Sequence, residues 1–110
     1  MVELIALLPR KPGMSRDDFH RYWRERHGPL VVEALGRHLA GYEQHHRIAG
    51  DDGHDEGWDG LAVQRFASKE AFQAFMADPA FAEKVVADQE AFIDMQRVVW
   101  FLSEPPEVLV

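Results

Sequence analysis

Hydrophobic and polar residues follow two different periods along this chain, one typical of strands and one typical of helices. Val2 to Leu8 is apolar at every position except Glu3, which indicates a strand covered on both faces. Pro9 and Pro12 end this strand. From Arg16 onward, apolar residues recur every three or four positions, a spacing that predicts an amphipathic helix.

Capping signals set the bounds of this first helix. Ser15 is the expected N-cap residue, and Asp18 follows it three positions later. The helix is predicted to run from Arg16 to about His27, where Gly28-Pro29 breaks or bends it. A further helical turn or two is expected over Leu30 to Leu39.

The rest of the chain repeats the two patterns. Strands are predicted at Tyr42 to Ile48, Trp58 to Phe66 and Met95 to Leu102, and helical segments after the N-cap Ser68 and again from Pro79. The resulting order is βαββαβ, which is compatible with a four-stranded antiparallel sheet that carries its helices on one side. We therefore expect a single α+β domain over residues 1–110.

Two helical segments can cover only one face of such a sheet, yet both faces are apolar. The opposed sets are Leu4, Ala6 and Leu8 against Ile5 and Leu7 in the first strand, and Val98, Trp100 and Leu102 against Val99 and Phe101 in the last. An uncovered set would expose a larger apolar patch than monomers usually carry. The pattern therefore predicts a homodimer in which two sheets face each other, with a pocket for a small hydrophobic ligand between them.

The first half of the chain carries three ordered motifs after an opening strand. They are R-K-P-G-M-S at Arg10 to Ser15, F-x-x-Y-W at Phe19 to Trp23 and H-G-P-L-V at His27 to Val31. In this order the motifs resemble the EthD family. The second half is similar only in element order and in its strand-like ending. The resemblance implies a ferredoxin-like subunit that pairs into a dimeric α/β barrel, in a family generally labelled oxidoreductase-related.

Composition excludes several classes of function. The chain has no cysteine, which removes thiol nucleophiles and Cys-ligated zinc, and its net charge of −7 disfavours nucleic acid and anionic lipid as partners. No basic leader and no apolar run of about 20 residues is present, so we expect a cytoplasmic protein without a membrane span. Glycine-rich nucleotide-binding motifs are also missing, so no cofactor is predicted.

His27 is the first candidate catalytic residue. It follows Phe19 and Trp23 at helical spacing, so its imidazole lies on the apolar stripe that faces the sheet, beside Trp23 as a candidate substrate-binding residue. A histidine at the end of a buried helix face can have its pKa tuned near neutrality and act as a general base or acid. The alternative is a structural histidine that the helix dipole stabilises.

The second strand supplies the other polar candidates. Tyr42, Gln44 and His46 alternate onto one face, which makes His46 a second catalytic candidate and the other two substrate-binding candidates. His45 points the opposite way, so the adjacent histidines cannot chelate one metal ion together, and no metal is predicted. The same face of the strand could instead pack under the helices.

Polar residues elsewhere give weaker signals. Asp94 and Gln96 share a face of the last predicted strand and could orient a histidine, or simply be solvated strand ends. The acidic stretch Asp51 to Glu56 lacks the ligand spacing of an EF-hand and is interpreted as a loop. Arg10 and Lys11 beside a helix N-terminus could hold an anion, although a simple loop is the alternative.

Two functions therefore stay open. The first is a cofactor-independent enzyme, an oxidoreductase or a proton-transfer catalyst of the isomerase or cyclase type, in which His27 moves a proton and Tyr42, Gln44 or His46 polarises an oxygen. The second is a non-catalytic accessory protein that sequesters a ligand in support of a partner oxygenase.

Overall fold

The computed structural model describes residues 1–51 and 57–110, so most of the acidic stretch interpreted as a loop lies outside the described residues. The strands are β1 (Val2–Leu8), β2 (Gly41–His46), β3 (Gly60–Phe66) and β4 (Val99–Ser103). The α-helices are α1 (Arg16–Tyr22), α2 (Gly28–Leu35), α3 (Lys69–Ala77) and α4 (Ala87–Gln89). Two π-helical segments, Trp23–His27 and Phe81–Val86, and a 3₁₀ turn at Gly36–His38 complete the helical layer.

The four strands form one antiparallel sheet in the order β2-β3-β1-β4. The helices lie on one face of it, which confirms the predicted α+β arrangement. Two buried clusters join the layers, one around Phe19, Trp23 and Phe92 and the other around Phe66 and Phe75. None of the helices in the described part of the chain combines the length and apolar character needed to cross a membrane.

Of the two predicted alternatives at Gly28-Pro29, a break or a bend, the break is wrong, because the helix continues from Arg16 to Leu35 through the π turn Trp23–His27. The Gly28 N–H donates to the Trp23 carbonyl, five residues earlier. A turn with i→i+5 bonding is wider than an α-helical turn, so the helix can pass Pro29, which has no N–H to donate. The π turn also keeps both Trp23 and His27 buried.

Strand boundaries differ from the expected ones by two or more residues at three ends. β2 stops at His46, with Ile48 73% exposed, and β3 begins at Gly60 instead of Trp58. β4 begins only at Val99, so Asp94 and Gln96 precede the strand and lie in a turn. That turn forms because the Asp94 carboxylate accepts the Gln96 N–H at 3.2 Å.

The face of the sheet opposite the helices is apolar at its centre. It carries Ile5, Leu7, Leu61, Val63, Val99 and Phe101 in matching register on β1, β3 and β4. Val99 and Phe101 are 46% and 53% exposed. A charged row borders the patch, where Arg65 pairs with the buried Glu3 at 3.4 Å and with Glu43.

Candidate functional site

A cavity of about 250 Å³ lies between the sheet and the helices. The described side chains that line it are apolar except for the polar group His27, Tyr42, Gln64 and Gln89 and the indoles Trp23 and Trp100, and none of the lining residues is an acid, a lysine or an arginine. Such a lining is typical of a site for a small, largely apolar molecule with a few polar contacts.

This location differs from the predicted one between two facing sheets. His27, Trp23 and Tyr42 all line the cavity on the helix side of the sheet. Tyr42 packs against both buried clusters, because the even-numbered residues of β2 face the helices. The face that the sequence analysis left open for Tyr42, Gln44 and His46 is therefore the one that packs under the helices.

His27 is held by a carboxylate and an aromatic ring. Its Nδ1 lies 2.9 Å from Asp88 Oδ2, and the Tyr22 hydroxyl donates to Asp88 Oδ1 at 2.6 Å. Phe92 packs against the imidazole with ring centroids 4.8 Å apart. Because a carboxylate accepts, His27 donates through Nδ1–H, and its Nε2 is the ring nitrogen that keeps a lone pair when the imidazole is neutral.

Burial controls the protonation of His27. The side chain is only 6% exposed, and desolvation lowers its pKa below the ordinary value, although the hydrogen bond and the charge of Asp88 act in the opposite direction. Asp88 also raises the pKa of Tyr22, chiefly through the hydrogen bond from its hydroxyl. His27 is therefore a neutral imidazole near pH 7, with a carboxylate placed to stabilise an added proton.

Tyr42 is the second titratable group of the cavity. Burial raises the pKa of its phenol, while side-chain hydrogen bonds with Trp23 and Gln44 lower it by less. The phenol is consequently protonated near pH 7 and can donate a hydrogen bond to a bound oxygen. Gln64 and Gln89 add amides that both donate and accept.

His46 and Gln44 lie beside the cavity and not among its lining residues. The His46 ring packs on Trp23 with centroids 4.6 Å apart, and its Nδ1 lies 2.6 Å from Nδ1 of His20. Desolvation, with smaller contributions from Arg24 and His20, lowers the pKa of His46 to about 4. His46 is thus a neutral neighbour of the site.

The weaker candidates lie elsewhere. Asp94 bonds within its own turn and approaches Arg97 at 3.9 Å, and Gln96 is exposed, so neither joins His27. The Arg10 guanidinium, one of the groups considered for binding an anion, donates to the carboxylate of the buried Asp59 at 2.8 Å. Its charge is therefore already paired within the protein. Within residues 1–51 and 57–110, no three His, Asp or Glu side chains converge as metal ligands would.

Three functional candidates escaped the sequence analysis. Asp88 lies 61 positions from His27, and no local pattern marks it. Gln89 follows it on the same short helix. Gln64 did carry a signal, since it is a polar residue between Ala62 and Phe66 on the face of β3 that turns towards the helices.

The family model described as the EthD domain matches residues 11–96, and no curated protein matches the chain. An EthD-like protein from Ralstonia eutropha is 24% identical, with 94% of this chain and 89% of that chain covered and a TM-score of 0.69. An ethyl tert-butyl ether D (EthD) family protein from Bacillus halodurans is 19% identical, with 96% and 99% covered and a TM-score of 0.73.

A third similar structure bears on the fold. It is a dimeric protein of unknown function with a ferredoxin-like fold from Bacteroides fragilis, 8% identical over 94% of both chains, with a TM-score of 0.67. The likeness extends across almost the whole domain, so the sheet and its helices form a ferredoxin-like fold. At these identities, the similarity of the structures concerns the fold.

Proposed function

The chain belongs to the EthD domain family, and on this premise we propose that it binds a small neutral organic molecule in the cavity and transfers a proton through His27. His27 lines an apolar cavity and is hydrogen-bonded to Asp88, which is not among the lining residues, and this is the observation that carries the proposal. A buried neutral imidazole with an orienting carboxylate is a suitable general base.

The lining defines the class of ligand. The cavity of about 250 Å³ is smaller than the roughly 300–1,000 Å³ typical of sites for drug-sized molecules, so the ligand is small. An ionised carboxylate or phosphate would be desolvated there without a cationic partner, which costs several kcal/mol. A neutral ring or chain with a carbonyl or phenolic oxygen fits both the apolar walls and the few polar groups.

The chemistry follows from the protonation states. His27 Nε2 removes a proton from a carbon next to the carbonyl, and the electron pair of that C–H bond moves onto the carbonyl oxygen. The Tyr42 phenol donates a hydrogen bond to this oxygen as its charge develops. Asp88 stabilises the imidazolium, which returns the proton to the same or another carbon of the ligand.

Occupation of the cavity is tested by filling it. Val31, 1% exposed, lines the cavity, whereas the next residue, Val32, is 56% exposed. We expect purified wild-type protein to show a co-purified or soaked neutral compound in the cavity by crystallography. Val31→Phe should lose that density and the binding measured by calorimetry, while Val32→Phe keeps both. Equal binding by the two variants would contradict the proposed site.

Catalysis is tested separately at His27. With a ligand identified, His27→Asn should still bind it but lose about 10²–10⁴-fold in exchange of the ligand's acidic hydrogen for deuterium, measured by NMR. Unchanged exchange in a folded variant would exclude the catalytic role and leave a ligand-sequestering protein.

We also infer that the helix-free face of the sheet binds a second copy of the chain. The support is the apolar patch on that face, with Phe101 half exposed, and a similar protein described as dimeric. Phe101→Glu should convert a dimer at micromolar concentration into a monomer in sedimentation velocity. Val32→Glu, at a comparably exposed position on the helical layer, should not. A wild-type monomer at that concentration would refute the inference.

A further inference from the structure

Three polar side chains next to the cavity form a hydrogen-bond chain that ends on the backbone of the first helix. His20 Nδ1 lies 2.6 Å from His46 Nδ1, and His46 Nε2 lies 2.8 Å from Gln44 Oε1. The amide nitrogen of Gln44 then donates to the Trp23 carbonyl at 2.9 Å. None of these side chains lines the cavity, so the proposed chemistry does not use them directly.

The end of this chain fixes the direction of every bond in it. The Trp23 carbonyl only accepts, so Gln44 turns its N–H₂ towards the helix and its oxygen towards His46. His46 therefore carries its proton on Nε2 and accepts at Nδ1, and His20 is the donor to it. Burial, with Arg24 adding to it, lowers the pKa of both histidines, which favours the neutral rings that this arrangement needs.

The Trp23 carbonyl belongs to the π turn that carries His27. It accepts both the Gly28 N–H and the Gln44 amide, so Gln44 bonds to the same oxygen that closes the turn. The fit is close, because a Cβ atom at Gly28 would lie 2.5 Å from Gln44 Nε2. His27 immediately precedes Gly28, and its ring direction depends on the geometry of this turn.

We propose that Gln44 is a positioning residue for His27, kept in its working orientation by the His20–His46 pair. The amide of Gln44 holds the Trp23 carbonyl in the wide turn, and the wide turn directs the imidazole at the cavity and at Asp88. The proposal rests on the role proposed for His27, since positioning matters only if the positioned group acts.

Gln44→Met removes the hydrogen bonds of Gln44 to the Trp23 carbonyl and to His46, together with the one between Gln44 and Tyr42, and keeps the length of the side chain. We expect the Gly28 amide to exchange with deuterium between about two- and tenfold faster, the ratio implied by the net value of one hydrogen bond. The amide of Ile5 in the centre of the sheet should be unaffected. In NMR titrations, the midpoint of His27 should move up towards the ordinary value, because desolvation of this ring is its largest perturbation.

Two further variants make the result specific. His20→Phe keeps an aromatic ring but not the proton donor, and it should change Gly28 exchange and the His27 midpoint in the same direction as Gln44→Met. His45→Ala, on the opposite face of the same strand, should change neither. A folded Gln44→Met protein with an unaltered His27 titration and Gly28 exchange would overturn the positioning role. It would leave the proposed function standing, because these measurements need no ligand.

Discussion

Asp88 gives His27 its orientation and its capacity to hold a proton. The carboxylate receives His27 Nδ1–H on one oxygen and the Tyr22 hydroxyl on the other, so both of its oxygens have a fixed partner. Without a negative charge there, the imidazolium would be an unpaired charge among apolar groups such as Phe92, and burying such a charge costs several kcal/mol. The pair therefore supplies a base that is neutral at rest and stable once protonated.

Asp88→Asn separates the charge of this carboxylate from its shape. The amide oxygen can still accept one hydrogen bond, so we expect a loss of only about 1–2 kcal/mol in the free energy of unfolding. Loss of the charge should lower the pKa of His27 further and return that of Tyr22 towards its ordinary value. NMR titration and ultraviolet titration of the phenol measure these shifts. Asp94→Asn is the matched control, and equal shifts in the two variants would disprove the assignment.

The π turn shows how a helix-breaking signal in the sequence can carry a different meaning. Gly28-Pro29 predicts a break because proline cannot donate and glycine lowers helix propensity. The structure uses the two residues in another way: glycine makes room for Gln44, and proline follows a turn whose hydrogen bonds already skip one residue. Helix propensity describes a residue within its own segment and takes no account of Gln44, which contacts the helix from β2. The continuity of the helix could therefore not be predicted from the local sequence.

Periodicity was sufficient to predict those features that depend only on the sequence of a single helix or strand. The bounds of β1, the N-cap Ser15 and the burial of Trp23 and His27 were all predicted, because alternation and helical spacing determine which side is apolar. Contacts between elements that are distant in the sequence were not predicted. Asp88 reaches His27 only because the last helical segment packs beside the first, and no spacing within either one encodes that approach.

At the scale of the whole molecule, the two faces of the sheet have different surroundings. The helix-covered face carries the cavity together with His27 and His46, and the opposite face presents an apolar patch bordered by Glu3, Arg65 and Glu43. The surface inferred to bind a second chain therefore lies on the other side of the sheet from the proposed ligand site. If both proposals hold, we expect substitutions at Phe101 to affect assembly and those at Val31 to affect ligand binding, each without the other effect.

Neutral histidines make the stability of the fold sensitive to acid. The folded-state pKa values of His20, His27 and His46 are all lowered, that of His46 to about 4. Between about pH 6.5 and 4 the unfolded chain therefore binds more protons than the folded chain, so the free energy of unfolding decreases as the pH is lowered. Each pKa unit corresponds to about 1.4 kcal/mol before solvent screening, so we expect His46 to account for about 1 kcal/mol between pH 7.5 and 5.0. Urea unfolding at these pH values measures the loss. His46→Gln should reduce this loss and His45→Gln should not. A stability that is constant down to pH 5.0 would show that these histidines bind protons equally well in the folded and unfolded chain.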